Sequence, residues 1–193
     1  MSEKSQLTAR RKMTLTLVLG TWLGASFLLL WVVGSSFPGV ERAVVENEQL
    51  ASRVGFKPGD VAAKKTSVAW VITGELNRQN FSSWNTGQLL LAAAALFCAL
   101  RAGSRGALLG VCGAAVLVLV LPFWLAPEIT TLGRSLDFVP RDPLPAALER
   151  FNGLHGIYTS LELAKVLLLM LAAWFSFSSL AAAGSADPAA PPA

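Results

Sequence analysis

Between Met13 and Val33 the chain runs 21 residues without a charge. A helix needs about 20 such residues to cross the hydrocarbon core of a bilayer, so this stretch predicts a membrane span. Lys4, Arg10, Arg11 and Lys12 crowd its start. A cleaved signal peptide has the same outline. Its apolar core is only about 7–15 residues, however, and no A-x-A-like site follows here. A retained first span is therefore expected.

The rest of the chain carries the same signature. Apolar residues make up 53% and charged residues 15%, where a soluble domain averages about 25% charged. The mean hydropathy is +0.53. The net charge of +4 is small and dispersed, which argues against a nucleic-acid partner and makes basic flanks read as orientation signals. Cys98 and Cys112 both fall in apolar stretches, so they read as buried thiols rather than a disulfide framework.

The sequence predicts an all-α integral membrane protein of about four spans, near 13–33, 82–101, 107–125 and 157–180. Together, residues 13–180 would form one membrane domain after a basic tail over 1–12. The breaker cluster GSSFPG at 34–39 is expected to end the first helix. An amphipathic helical insertion should follow it. In one stretch Val40, Val44, Leu50 and Val54 recur among charges. In a second, Val61, Val68, Val71, Ile72 and Leu76 follow a turn at Pro58, Gly59 and Asp60. Both could lie in the interface plane, or the second could feed into the next span.

That second span has an apolar core of only 12 residues, Leu89 to Leu100, and must recruit residues from about Phe81 onward. RAGSRG at 101–106 reads as a tight basic turn, and Pro122 and Pro127 should close the third span. Residues 128–150, with Pro140, Pro143 and Pro145, read as a polar loop. The Ala/Pro-rich tail at 181–193 lacks the material to pack and should be disordered. Lys and Arg are dense before the first span and recur at Arg101 and Arg105. The other side holds six in one loop and three in the next, interspersed with acids. Dense short flanks set orientation, which predicts both termini cytoplasmic, in a bacterial inner membrane.

Chemistry concentrates at the start of the last span. On a helix His155, Tyr158, Glu162 and Lys165 fall within an arc of about 80°. A charge near the centre of a span costs roughly 2.5–3.5 kcal/mol, so this stripe should turn inward. Glu162 and Lys165, three residues apart, can pair. In an up-down bundle the start of the second span shares that leaflet. Asn77, Asn80, Asn85 and Gln88 are therefore expected level with the stripe as amide partners. Two readings stay open: a binding or proton-relay site on the non-cytoplasmic side, or a structural ion pair that fixes helix register.

A lone histidine cannot make a bis-His haem site, and a metal held by His155 and Glu162 would find only amides opposite. No Ser-His-Asp spacing, phosphate loop or zinc signature occurs. No metal, cofactor or catalytic residue is assigned. The glycine pairs Gly20/Gly24 and Gly106/Gly110 offer small-residue faces to another helix, in the chain or in a homo-oligomer.

Phe151, Leu154, His155 and Gly156, followed by Leu161 and Leu163, resemble the F-x-x-x-H-G motif opening the last span of the transmembrane protein 205-like family. That family includes bacterial members bearing a domain of unknown function. TWLGASFLLLWVVGSSFPG and NRQNFSSWNTGQLLLA are similar to its first span and the start of its second. The resemblance covers residues 13–175 in outline, and implies about four helical spans and no established chemistry. Glu162 stands where family members often carry an amide, and the stretch before Asn77 is longer here. The expected function is non-enzymatic, with small-solute or protein partners. Alternatives are a small transporter or channel component using the Glu162–Lys165 stripe, and a membrane enzyme or cofactor carrier using His155 and Glu162 as acid and base.

Overall fold

A computed structural model describes residues 3–53, 55–57, 62–139 and 143–185, the side chains of 62–63 and 179–185 excepted. The described residues form helices α1 (Glu3–Glu41), α2 (Glu48–Arg53), α3 (Ala62–Ala102), α4 (Arg105–Val120), α5 (Ala126–Ser135) and α6 (Ala146–Ser185), with no strand among them. Two single π-helical turns, Arg42–Glu46 and Leu121–Leu125, follow α1 and α4 directly. Four helical stretches are long and apolar enough to cross a membrane: Glu3–Glu46, Lys64–Ala102, Arg105–Ser135 and Ala146–Ser178.

These helices run past the boundaries the sequence predicts, for local reasons. The cluster at 34–39 does not end α1, because Pro38 sits inside the helix. A proline removes one backbone donor and crowds the carbonyl four residues earlier, here that of Gly34. Just before Pro38, Ser35 and Ser36 donate to the carbonyls of Val32 (3.1 Å) and Val33 (2.8 Å), and the helix continues through the proline to Glu41. Pro122 and Pro127 likewise fail to stop the chain. Pro122 lies in the second π turn and Pro127 at the start of α5, and the helical stretch runs through both from Arg105 to Ser135. Part of the supposed loop at 128–150 is therefore helix. The last long helix begins at Ala146, so Phe151 to Gly156 are helical rather than loop. Ala62 to Ala102 form one helix, the second amphipathic stretch leading straight into the span. The turn expected at Pro58 to Asp60 lies outside the described residues. So does the tail from 186, while 181–185 continue α6 as helix. The basic turn forms as expected: Gly103 takes φ +72°, and the Ser104 side chain caps α4 by accepting from Ala107 N (3.5 Å).

The chain divides into two compact units. Unit 1 takes Met1–Ser26, Thr86–Leu121 and Thr159–Ala193. Its buried positions recur every three or four residues in each helix. They are Leu15, Leu19, Trp22 and Ser26 in α1, and Ala92, Ala95, Ala99 and Ala102 in α3. In α4 they are Ala107, Val111, Ala114 and Val118, and in α6 Lys165, Leu169, Ala172 and Ser176. This is the spacing of knobs-into-holes bundles. Alanine dominates that interior while the outer faces are large and apolar, with Leu109 73% exposed and Leu90 and Phe97 also exposed. Small residues inside and large apolar residues outside are what lipid selects.

The Gly106/Gly110 face is occupied inside the chain. A Cβ on Gly110 would lie 2.9 Å from the Leu168 carbonyl oxygen and 3.0 Å from the Ala172 Cβ, both on α6. That pair therefore seats α6 rather than a second copy. A Cβ on Gly20 or Gly24 would meet nothing within 4 Å. Thr16 Oγ1 and Ser176 Oγ lie 3.0 Å apart and join α1 to α6.

Unit 2 takes Phe27–Asn85 and Pro122–Tyr158. Its buried positions mix apolar Val44, Ala51, Ala69, Leu125 and Leu136 with polar Thr73 and Asn77. Trp31, Phe123 and Trp124 stand on its surface, each at least 69% exposed. Exposed tryptophans such as these are enriched in membrane proteins where helices meet the lipid–water interface.

Candidate functional site

Of the stripe expected on the last span, Glu162 and Lys165 belong to unit 1 and His155 and Tyr158 to unit 2. In unit 1 Lys165 Nζ donates to Glu162 Oε2, from one turn earlier on α6, and to Gln88 Oε1 on α3. Lys165 is fully buried. An ammonium sealed from solvent persists only with its charge balanced and its protons engaged. Glu162 supplies the balance and Gln88 a second acceptor. The other carboxylate oxygen, Glu162 Oε1, is buried with no hydrogen-bond partner among the described residues. Such an orphan costs roughly 1–3 kcal/mol.

In unit 2 Asn77, Asn85, His155 and Tyr158 line a cleft of about 980 Å³, and Asn80 does not. Asn77 is buried and accepts from Ser36 Oγ at 3.2 Å. Tyr158 packs edge-on against Phe81, with ring centroids 5.6 Å apart. His155 stacks on Phe151, four residues earlier, at 5.8 Å and 12°. Asn85 Oδ1 is buried with no hydrogen-bond partner among the described residues. Gln88, Glu162 and Lys165 belong to unit 1, so His155 and Glu162 stand in different units.

The cleft's strongest electrostatic feature comes from residues the sequence does not flag. Arg78 on α3 reaches the segment after α5, donating through Nη2 to both Asp137 oxygens at 2.9 and 3.0 Å. Its other terminal nitrogen, Nη1, donates to Glu75 Oε2 at 2.8 Å. Arg134 approaches Glu75 at 3.5 Å. All four line the cleft. A guanidinium stays charged at any accessible pH and presents several donors in one plane, which suits it to two carboxylates at once. Gly133 admits the packing here, since a Cβ there would lie 3.3 Å from Phe151 and 3.6 Å from Arg78.

One pattern could have exposed α5. Leu125, Ile129, Leu132 and Leu136 step by four, three and four, with Pro127 at the helix start. Recognised as helix, that stretch would carry Arg134 and Asp137 at its C-terminal end. Around the charges the cleft has apolar walls, including Val33, Phe37, Trp70, Pro122 and Ile129. Ligand cavities range over about 300–1,000 Å³ and are mostly apolar with a few placed polar groups. The cleft has that size and mixture. No group of three or more His, Cys, Asp or Glu that could hold a metal occurs among the described residues.

Comparison with known proteins gives no match to any family, curated protein or solved structure.

Proposed function

We propose that this chain is a non-enzymatic four-span protein of a bacterial inner membrane, and that it binds a small amphipathic molecule in the cleft of unit 2. The observation that carries this reading is the cleft itself, about 980 Å³ with both apolar and charged walls. Its charged groups are committed to one another, as in Arg78–Asp137 and Arg78–Glu75, which suits recognition better than proton transfer. The buried Lys165, with its bonds to Glu162 and Gln88, favours a structural pair over a conducting path.

Both termini are cytoplasmic in this reading. Lys4, Arg10, Arg11 and Lys12 flank the first span, and Arg101 and Arg105 the turn before the third, which supports that orientation. Residues 42–53 form an amphipathic insertion at the outer interface, and the exposed Gly20/Gly24 face is the surface free for a second copy. The motif Phe151, Leu154, His155 and Gly156 supports kinship with the transmembrane protein 205-like family.

The test is photolabelling of the full chain in maltoside micelles with a diazirine-bearing fatty alcohol. Labels concentrated at 70–85, 126–137 and 151–158, and suppressed by unlabelled fatty alcohol, are expected. Uniform, unsuppressed labelling of the lipid-facing helices would overturn the reading.

A further inference from the structure

We propose that the occupant of this cleft carries a zwitterionic head group, an anion of the phosphate type joined to an ammonium, on an apolar chain drawn from the membrane. This rests on the ligand-binding reading above and adds the chemistry of the ligand.

The starting point is charge balance. Arg78 and Arg134 set two positive charges on the wall, and Glu75 and Asp137 two negative ones. A ligand of net negative charge would enter beside two carboxylates. A net cation would enter beside two guanidiniums that cannot release their protons. Charge-balanced walls select against net charge of either sign.

The two pairs are unequally held, and this separates a zwitterion from a neutral head. Arg78 and Asp137 are 15% and 24% exposed and joined by two hydrogen bonds. Arg134 is 62% exposed and reaches Glu75 only at 3.5 Å. The tight pair forms a fixed wall, and the loose pair can open. Once open, it offers the Arg134 guanidinium and Glu75 Oε1 side by side, while Glu75 Oε2 stays on Arg78 at 2.8 Å. The anionic part of a zwitterion then pairs with Arg134 and its ammonium with Glu75, so neither wall charge is stranded. A neutral head has nothing to exchange for the broken pair. Trp70 and Phe151, also on the wall, add aromatic faces of the kind that attract ammonium groups. Val33, Phe37 and Ile129 give the chain an apolar bed.

The experiment photolabels the full chain in maltoside micelles with a diazirine-bearing alkyl phosphocholine. Its competitors are dodecylphosphocholine, dodecyl phosphate, dodecyltrimethylammonium, dodecanol and glycerophosphocholine. Dodecylphosphocholine should suppress cleft labelling at concentrations at least about tenfold lower than either singly charged amphiphile or the alcohol. Glu75→Gln should shift preference toward dodecyl phosphate, and Arg134→Gln toward dodecyltrimethylammonium. Equal or better suppression by a singly charged or neutral amphiphile would overturn the proposal, as would variants that leave the order unchanged. Glycerophosphocholine as potent as its alkyl counterpart would overturn the membrane source, since the soluble head would then suffice. Labelling of the cleft by the fatty alcohol without labelling by the phosphocholine sinks this inference alone. Labelling by neither sinks the binding reading as well.

Discussion

Lys165 is fully buried on α6, and its ammonium donates to the Glu162 carboxylate one turn earlier on the same helix. Breaking such a pair from one side strands a charge, whereas removing both charges strands nothing. Lys165→Met should therefore destabilise the protein by about 3–5 kcal/mol. The double variant Glu162→Gln/Lys165→Met should recover most of that loss. Unfolding of the four species in detergent closes the cycle. A double variant as unstable as the sum of the singles would exclude a coupled structural pair.

The Arg78–Asp137 pair should matter more than its neighbour. Asp137→Asn removes a carboxylate that is 24% exposed and held at 2.9 Å. It should cost about 1–2 kcal/mol, reduced from the usual value for charged hydrogen bonds by partial solvent screening. Glu75→Gln acts on a carboxylate 44% exposed and should cost less than Asp137→Asn. Chemical denaturation at two salt concentrations distinguishes them, because the more exposed pair is the more salt-sensitive.

Two glycines with the same sequence signature should respond in opposite ways. At Gly110 an added methyl meets the Leu168 carbonyl at 2.9 Å. Gly110→Ala should lose about 1–3 kcal/mol through overpacking. Gly20→Ala meets nothing within 4 Å and should gain up to about 1 kcal/mol from helix propensity. Thermal unfolding of both variants is the measurement, and equal effects would contradict the assigned packing.

Phe138 follows Asp137 at φ +60° with its ring exposed. A bulky side chain in the left-handed region costs about 1–2 kcal/mol, and asparagine tolerates it better. Phe138→Asn should therefore raise stability by about 0.5–1 kcal/mol in equilibrium unfolding, and a loss would show the ring does more there than strain the chain.

Topology is tested separately. In a background with Cys98 and Cys112 replaced by alanine, Ser52→Cys on α2 should react with a membrane-impermeant maleimide added to intact cells. Thr8→Cys on α1 should react only after permeabilisation. The reverse pattern would invert the proposed orientation.

The four long helices were legible because lipid imposes long apolar runs, and Met13 to Val33 is unambiguous on that ground. The pairing of Glu162 with Lys165 was legible too, being fixed by a three-residue spacing on one helix. Helix ends were not. Gly34 to Gly39, Pro122 and Pro127 are breakers by local propensity, yet α1 runs through Pro38 and one helical stretch runs through both later prolines, with Pro122 in a π turn. Arg78 was illegible for a different reason. Its partner Asp137 lies 59 positions away, and nothing local to either residue names the other. Asn80 was grouped with Asn77 because an up-down topology sets both in the same leaflet, yet only Asn77 lines the cleft.

The bond from Lys165 to Gln88 also bears on how the protein is made. A ribosome delivers α3 long before α6, so Gln88 enters the bilayer with its acceptor still waiting. When α6 emerges, its two charges are the costliest part of its insertion, and the amide is already in place to receive one of them. Each helix thus completes the other's passage into lipid.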